Sequence, residues 1–398
     1  MKLVIMIAIY ICTEIIGLTL LYGPLRRIVD PERKHADRAV WPVVLIGIIL
    51  AFPLFGALVP DGPLCWFFQK WGNLSIGYLI YFFVPLLIIR LCEFLVRAIR
   101  RLRTHEKQTP SRVYCTLLIL ILLAGSVALN VTGSVRAHDV RTTFYEIPRE
   151  VLGQTEPLRI VLIGDTHIGV NSSPQLYRDM VDRINEQDPD IVLVAGDIVT
   201  SSYGAMRDPD TYSDILSQIK AKHSKYVIYG NHDVEEPLLG GFTYIGRENA
   251  HRHPEMDQFI ADCDWTLLRD EVIRIPELGG LCIIGRRDES RPGDGVSERA
   301  SLDALLTDLK PDEPLLLLQH EPTDLEALDE FGIDLAVSGH THDGQIFPGK
   351  IISRIRGPQS YGLKKWGDAT VIVTSGVGYY GPPIRVGTIS EIVVIDLK

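Results

Sequence analysis

The sequence predicts an all-α membrane module followed by a mixed α/β sheet domain. Four apolar stretches of near-span length crowd the first third of the chain. Beyond them, short apolar runs ending in glycine alternate with segments of helical period. Charge divides along the same line: residues 1–135 hold 14 Lys and Arg against 7 Asp and Glu, and this +7 leaves −17 for the rest of a chain whose net charge is −10. The mean hydropathy of +0.14, high for a soluble enzyme, is thus the average of two unlike parts.

The apolar stretches run roughly from Leu3 to Leu21, Ala39 to Val59, Trp71 to Glu93 and Val113 to Val131, each near the ~20 residues that cross a hydrocarbon core. Inside lipid a backbone must satisfy its own hydrogen bonds, so all four are expected to be helices. The first lacks a small-residue cleavage site and is followed by more spans, which argues against a removable leader. Arg26, Arg27, Arg33, Lys34 and Arg38 lie between spans one and two, and Arg97, Arg100, Arg101, Arg103, Lys107 and Arg112 between spans three and four; the loop of the 60s offers only Lys70. By the positive-inside rule both basic loops face the cytoplasm, which places the N-terminus and everything after residue 135 outside. Glu14, near the middle of span one, is either a functional group or the partner of a polar group on a neighbouring helix. Arg90 and Glu93 are spaced to pair as an anchor.

Cys12, Cys92 and Cys115 fall in or near spans and act there as small apolar residues, while Cys65 belongs to the first external loop. Cys263 and Cys282 lie in the acidic part, where an extracytoplasmic setting permits a bridge without requiring one.

Residues 136–157 read as a linker and 158–398 as the sheet domain. "LRIVLIG" (158–164) is a continuous apolar run of buried-strand type, followed by a helix that places Leu176, Met180, Val181 and Ile184 on one face. Then come "DIVLVAG", a helix around Tyr212 to Lys222, "KYVIYG", and the later strands "LCIIG", "PLLLLQ", "DLAVSG", "TVIVTSG" and "EIVVIDL".

The residues just past these strands carry the chemistry. Asp165 and His167 follow the first and Asp197 the second; Asn231, His232 and Asp233 follow the third, His320 a later one, and His340 and His342 the next. In open α/β sheets the crevice beyond the carboxyl ends of strands is where sites form. A mixture of Asp, Asn and His suits borderline divalent ions such as Mn²⁺, Zn²⁺ or Fe. Two such ions need a bridging ligand, and Asp197, alone at its strand end, is the expected bridge. Asp165, His167 and His342 complete one ion, and Asn231, His320 and His340 the other. Five of the chain's 11 histidines fall in this constellation, too many for unrelated loop residues.

In order, "GDTHIG", "AGDIVT", "YGNHDV", "LLQHEP" and "SGHTHDGQ" resemble the calcineurin-like metallophosphoesterase family, over about residues 158 to 398. The last motif and the tail "TSGVGYYGPPIRVGTISEIVVIDL" are similar to its membrane-associated branch, which includes the YkuE-like proteins. The resemblance implies a four-layer α/β/β/α sandwich and the same two-ion ligand set. Two departures stand out. Thr200 occupies a position, three after the bridging aspartate, where the family often has an acid, which leaves open how His232 is held; Asp233 is an available orienter. Asp343 replaces a glycine common in the branch and is either an exposed turn residue or a carboxylate that tunes the site.

The expected reaction is hydrolysis at phosphorus by hydroxide generated between two cations, with His232 as the acid that serves the leaving oxygen or contacts the phosphate. A site tethered to the outer leaflet favours a phosphorylated lipid or lipid diphosphate, because confinement to one surface raises effective concentration. Arg385, and less so Arg286, Arg287 and Arg291, are candidate phosphate clamps. Residues 201–222 and "LLGGFTYIG" after Asp233 offer either substrate contacts or ordinary packing. Two other functions compete: a cytoplasmic-face pyrophosphate hydrolase of the UDP-diacylglucosamine type, and a non-catalytic membrane scaffold with a vestigial site. Nucleic acid is not an expected partner, since a strongly acidic domain repels a phosphate backbone.

Overall fold

The computed structural model describes every residue except 1, 33, 36, 61, 105–108, 201, 202, 237, 240, 244–250 and 311. Arg33 and Lys107 of the basic loops, residues 201 and 202 of the 201–222 segment, and residues 240 and 244–246 of the apolar stretch therefore lie outside the described residues. The chain divides into two compact units, Met1–Gly133 with Leu238–Tyr244, and Ser134–Pro237 with Ile245–Lys398.

The first unit is helical: α1 (Lys2–Val29), α2 (Asp37–Leu50), α3 (Phe52–Leu58), α4 (Pro63–Tyr78), a π-helical turn (Leu79–Phe83), α5 (Val84–Thr104) and α6 (Arg112–His138). Three helical stretches, Val4–Val29, Pro63–Arg101 and Arg112–His138, are long and apolar enough to cross a membrane. The second expected span is not one helix. It breaks at Ala51 into α2 and α3, which meet at a 42° bend. Pro53 causes the break: with no N–H to donate it is tolerated in the first turn of a helix, so a new helix starts there. Polar groups inside this unit turn to backbone carbonyls, as when the Tyr10 hydroxyl donates to Leu50 O at 2.6 Å and Asn130 Nδ2 to Ser126 O at 2.8 Å. Glu93 pairs with Arg90 as expected and also gathers Arg97 and the Tyr114 hydroxyl. Oε1 of Glu14 is buried without a hydrogen-bond partner among the described residues.

The second unit takes in the last turn of α6 from Ser134 and then forms a strand where a linker was expected. β1 (Val140–Ile147) pairs in parallel, over eight residues, with the C-terminal β14 (Ser390–Leu397). Its charged ends disguise a centre, Thr-Thr-Phe-Tyr, of β-branched and aromatic residues. The other strands are β2 (Leu158–Ile163), β3 (Ile191–Val194), β4 (Ser224–Val227), the two-residue β5 (Leu238–Leu239) and β6 (Phe242–Thr243), β7 (Thr266–Leu267), β8 (Glu271–Ile275), β9 (Leu281–Gly285), β10 (Leu315–Leu318), β11 (Leu335–Ser338), β12 (Gly362–Trp366) and β13 (Ala369–Val373). β5 and β6, in the segment that groups with the first unit, pair only with each other; the remaining twelve strands form two six-stranded sheets, ordered β1-β14-β2-β3-β4-β7 and β12-β13-β11-β10-β9-β8.

Strand period 2 sorts the side chains into layers. In β2, Ile160 and Leu162 enter the core between the sheets with Ile283, Leu316, Leu318 and Val337. Val161 and Ile163 point the other way, onto α7 (Pro174–Asn185), α8 (Pro209–Leu216) and α9 (Met256–Asp262) through Leu176, Met180, Ile215 and Phe259. A third cluster covers the outer face of the second sheet with α10 (Leu302–Leu306) and the loop carrying Leu325 and Leu328. The result is the α/β/β/α sandwich, and both faces of each central strand are buried, which is why those strands read as unbroken apolar runs. The helix expected around residues 212–222 is shorter, and its Tyr212, Ile215 and Leu216 belong to the core and not to a substrate surface. Cys263 and Cys282 are free and sit in different cores, which rules out a bridge between them in this fold.

Candidate metal centre

The carboxyl ends of β2, β3 and β4 in one sheet and of β10 and β11 in the other meet at one place. Backbone bonds fix their approach: Asp165 N donates to Gly196 O at 2.9 Å, His167 N to Asp197 O at 3.0 Å and Gly339 N to His320 O at 3.0 Å. The Asp165 carboxylate ties the two sheets together by accepting from His340 N at 2.9 and 3.1 Å. Asp165, His167, Asp197, His340 and His342 all adopt positive φ, between 46° and 75°. That conformation is costly for residues other than glycine, and strain of this kind concentrates at functional sites.

Among the described residues, two groups can each hold an ion with ligand atoms within 4.8 Å of one another: Asp165, His167 and His342, and Asp165, Asp197 and His320. His167 Nε2 and His342 Nε2 face each other at 2.9 Å. On the far side of Asp197, Asn231 Oδ1 lies 3.0 Å from His320 Nε2 and 2.9 Å from His340 Nδ1. Asp165 belongs to both groups, and Asp197 of the second also faces the first, with Oδ2 3.6 Å from His167 Nε2 and 3.1 Å from His320 Nε2. Its Oδ1 accepts from His232 N at 2.8 Å, so a single oxygen faces both groups. All seven expected ligands are brought together.

The chemistry of the donors fits divalent cations. Burial pushes the His167 ring down to about 3 and His340 to about 4, so both are neutral lone-pair donors at neutral pH. Burial raises the Asp165 carboxyl to about 7; His320 opposes this and the Asp197 charge adds to it. Burial also disfavours charge on His320, yet Asp197 overrides it and lifts the ring well above the usual imidazole range. Two buried carboxylates side by side, facing rings that burial holds neutral, present oxygen and nitrogen lone pairs of the kind that divalent cations take up. Backbone packs close against it: a Cβ on Gly230 would sit 2.3 Å from Asp197 Oδ1 and 2.8 Å from His320 Cε1.

The arrangement around these ligands changes the expected roles of several neighbours. Asp233 does not orient His232. Its Oδ1 accepts from Ile198 N at 2.7 Å and Val199 N at 2.9 Å, and its Oδ2 from Gly230 N at 2.7 Å, so it clamps the loops that carry Asp197 and Asn231. His232 is held by Glu236, whose Oε2 lies 2.9 Å from Nδ1, and its ring stacks on Tyr380 at 4.3 Å between centroids. Arg291 pairs with the other oxygen of Glu236 and donates to Asn231 O at 2.9 Å. Thr200 serves a different ring, its Oγ1 lying 2.6 Å from His167 Nδ1.

Arg385 is no phosphate clamp. It is fully buried, and its donors are taken by carbonyls: Nη2 by those of Ser375, Gly376 and Gly378, Nη1 by Ile389 O and Nε by Gly378 O. It braces the β13–β14 loop behind His342, with Nη2 3.3 Å from Nδ1 of that ring. Arg286 and Arg287 are likewise committed, to Asp324 and Gln319 and to Asp294 and Pro292 O. Asp343 is buried, not an exposed turn residue, and pairs with Lys350 at 2.7 Å. Glu236, Tyr380 and Arg291 are thus the site residues that sequence reasoning missed or undervalued.

Residues 158–344 match the family model described as calcineurin-like phosphoesterase. A Danio rerio protein described as a transmembrane protein with metallophosphoesterase domain is 30% identical over 366 residues, covering 87% of this chain and 79% of its own. The metallophosphoesterase YkuE of Bacillus subtilis is 28% identical over 281 residues, covering 66% and 86%. Among solved structures, a dimetal phosphatase from Danio rerio is similar over 56% of this chain and 88% of its own, at 16% identity and a TM-score of 0.31.

Proposed function

The chain belongs to the calcineurin-like metallophosphoesterase family of dinuclear-metal-dependent phosphoesterases, and from that premise we propose that it hydrolyses a phosphoester or diphosphate bond of a lipid-linked substrate at the extracytoplasmic face of the membrane. The observation that carries the hydrolytic part is Asp197 Oδ2, which faces both ligand groups at once. Two bound cations, Mn²⁺, Zn²⁺ or Fe, would supply hydroxide from water near neutral pH and neutralise charge growing on the phosphoryl oxygens.

The chain's own residues do the rest. Asp233 keeps the Asp197 and Asn231 loops at fixed separation. Glu236 holds His232 through Nδ1, which leaves Nε2 to face the phosphate or the leaving oxygen. Burial keeps the His232 ring below the usual imidazole range without substrate; an arriving phosphate dianion favours its protonation, as a general acid requires. Arg291 carries positive charge beside that ring.

The lipid class rests on the apolar helices and on effective concentration: a tethered site meets substrates confined to the same surface far more often than dissolved ones. The sidedness rests on the basic loops. Both are tested with the purified, Mn²⁺-loaded full chain and a panel of lipid phosphates, lipid diphosphates and nucleotide-linked lipids, alongside protease accessibility in intact cells. Preference for lipid phosphates and a protease-sensitive C-terminal domain are expected. Preference for nucleotide-linked lipids with a protected domain would instead establish the cytoplasmic pyrophosphatase.

A further inference from the structure

Seven residues after His342 the chain forms a helix that nothing buries. α11 (Gly349–Arg356) has no buried residue. Phe347, Ile351, Ile352 and Ile355 are exposed by 50%, 51%, 46% and 79%. Spacings of three and four place Ile351, Ile352 and Ile355 on one stripe of the helix, with Phe347 one turn before it. Lys350 and Arg354, also four apart, run alongside that stripe. The composition is equally uneven: between Phe347 and Trp366 there are five Lys and Arg and no Asp or Glu, in the part of the chain that carries −17. Exposed Leu363, Lys364 and Lys365 of β12 continue the pattern.

A large apolar stripe flanked by cations, on a helix without acidic residues, has the composition of elements that lie in the headgroup region of a bilayer. The isoleucines enter the acyl boundary, and Arg354 and Arg356, both exposed, reach anionic headgroups from their aliphatic stems. A soluble partner protein would have to supply a matching acidic rim; an anionic lipid surface supplies it everywhere. We infer that α11 is an interfacial helix that rests on an anionic bilayer and thereby sets the metal centre at the lipid surface.

The link from helix to centre is short and stiff. Lys350 Nζ pairs with Asp343 at 2.7 Å and donates to Gly387 O at 3.0 Å. Gly349 N donates to Ile346 O at 2.6 Å, and a Cβ on Gly344 would sit 2.3 Å from Gly349 C, so the first turn of α11 packs directly on the loop that follows His342. Contact with a membrane would thus hold His340 and His342 at a set height above it.

The test uses the full chain in nanodiscs of phosphatidylglycerol and phosphatidylcholine. A benzophenone amino acid replaces Ile355 or, as a control, exposed Glu330. Irradiation should add a phospholipid mass at position 355 at least about tenfold more often than at 330, and more in the anionic discs than in discs of phosphatidylcholine alone. No lipid adduct at 355, equal adducts at both positions, or a protein–protein crosslink from 355 would overturn the inference. These readings do not depend on the substrate proposed above. A second arm joins the two: Ile351→Ser with Ile355→Ser and, separately, Arg354→Glu with Arg356→Glu should lower turnover of a bilayer-embedded lipid phosphate about tenfold and leave a soluble aryl phosphodiester unaffected. Loss on both substrates would reject a docking role. Adducts at 355 without any lipid-phosphate turnover in the parent protein would reject the lipid substrate and leave the docking helix in place.

Discussion

The two compact units bury opposite kinds of residue. In the helical unit Val4, Ile9, Trp41 and Ile121 are exposed by 69%, 61%, 70% and 67%, while Asn73, Ser75, Ser126 and Asn130 are buried. In the sandwich the apolar strands are buried and the helices outside them are amphipathic. Each unit hides from its solvent what that solvent cannot satisfy: lipid cannot pair an amide or a hydroxyl, and water gains nothing from an isoleucine. The sandwich also buries charge, and four of its buried carboxylates gather at the centre. Asp165, Asp197, Asp233 and Glu236 are buried there, and each has either a facing cation site or a set of donors. The comparison therefore separates polar burial that builds a centre from polar burial that only packs helices, and substitutions should tell the two apart.

The largest effect belongs to Asp197. Asn keeps the shape but loses the charge that faces both ligand groups, so Asp197→Asn should reduce bound metal to background and turnover of an aryl phosphodiester by at least about a thousandfold. Metal content by mass spectrometry beside the rate checks this; full metal occupancy in the variant would show that Asp197 is not the bridge. His232→Ala comes next and should behave differently, keeping its metals and losing ~10²–10⁴ in kcat. Glu236→Gln should follow in the same direction at ~10–100-fold, the usual cost of losing the group that orients an active imidazole. If Glu236→Gln equals wild type while Asp233→Asn loses the rate with metals intact, the assignment of Glu236 is wrong.

Much of the centre was legible because ligands at strand ends come with the strand: each of Asp165, Asp197, Asn231, His320 and His340 stands within three residues of an unbroken apolar run. What supports the ligands was less legible. Glu236 lies four residues after His232, a spacing that signals contact on a helix, but the segment between them is a turn and its neighbour Asp233 looked the nearer partner. Arg385 invited a phosphate because arginines often serve one; only the carbonyls that consume its donors show otherwise. β1 was hidden because its partner, β14, lies 250 residues away, and an edge strand half exposed on both faces shows no clean alternation. The break at Ala51 was available from Pro53 alone.

Stripping the metals sharpens the comparison further, since only one unit should respond. Without ions, burial and the nearby Asp197 charge raise the Asp165 carboxyl to about 7, from an ordinary 3.8. A carboxyl raised in the folded state stabilises that state fully below its unfolded value and loses the contribution as pH climbs through the folded one. Chelated protein should thus weaken between about pH 4 and 7 from this group. Bound ions favour the carboxylate instead, and protons compete with them less as pH rises. The melting temperature gap between loaded and chelated protein should therefore widen from pH 6 to pH 8. It should reach several degrees, since ligand about 100-fold above Kd adds about 2.7 kcal/mol. A gap that narrows with rising pH would contradict the buried-carboxylate account.

The smallest expected effect tests the helical unit on its own terms. Gly72 of α4 faces Pro53 of α3 so closely that a Cβ would sit 2.8 Å from Pro53 N and 3.0 Å from its Cα. Both neighbours are backbone, so no side-chain rotamer can make room, and the two helices must separate. Small residues at such crossings are what lets apolar helices pack in lipid, where there is no hydrophobic drive to hold them together. Gly72→Ala should therefore cost about 1–3 kcal/mol of helix packing, seen as an earlier midpoint when the protein is titrated from mild detergent into SDS. Metal content and turnover of the soluble phosphodiester should stay at wild-type values, because the sandwich has its own cores and its own ligands. An unchanged midpoint would mean that the α3–α4 crossing contributes nothing to the module. A loss of metal would mean that the two kinds of polar burial are not independent, and that the helices take part in holding the centre.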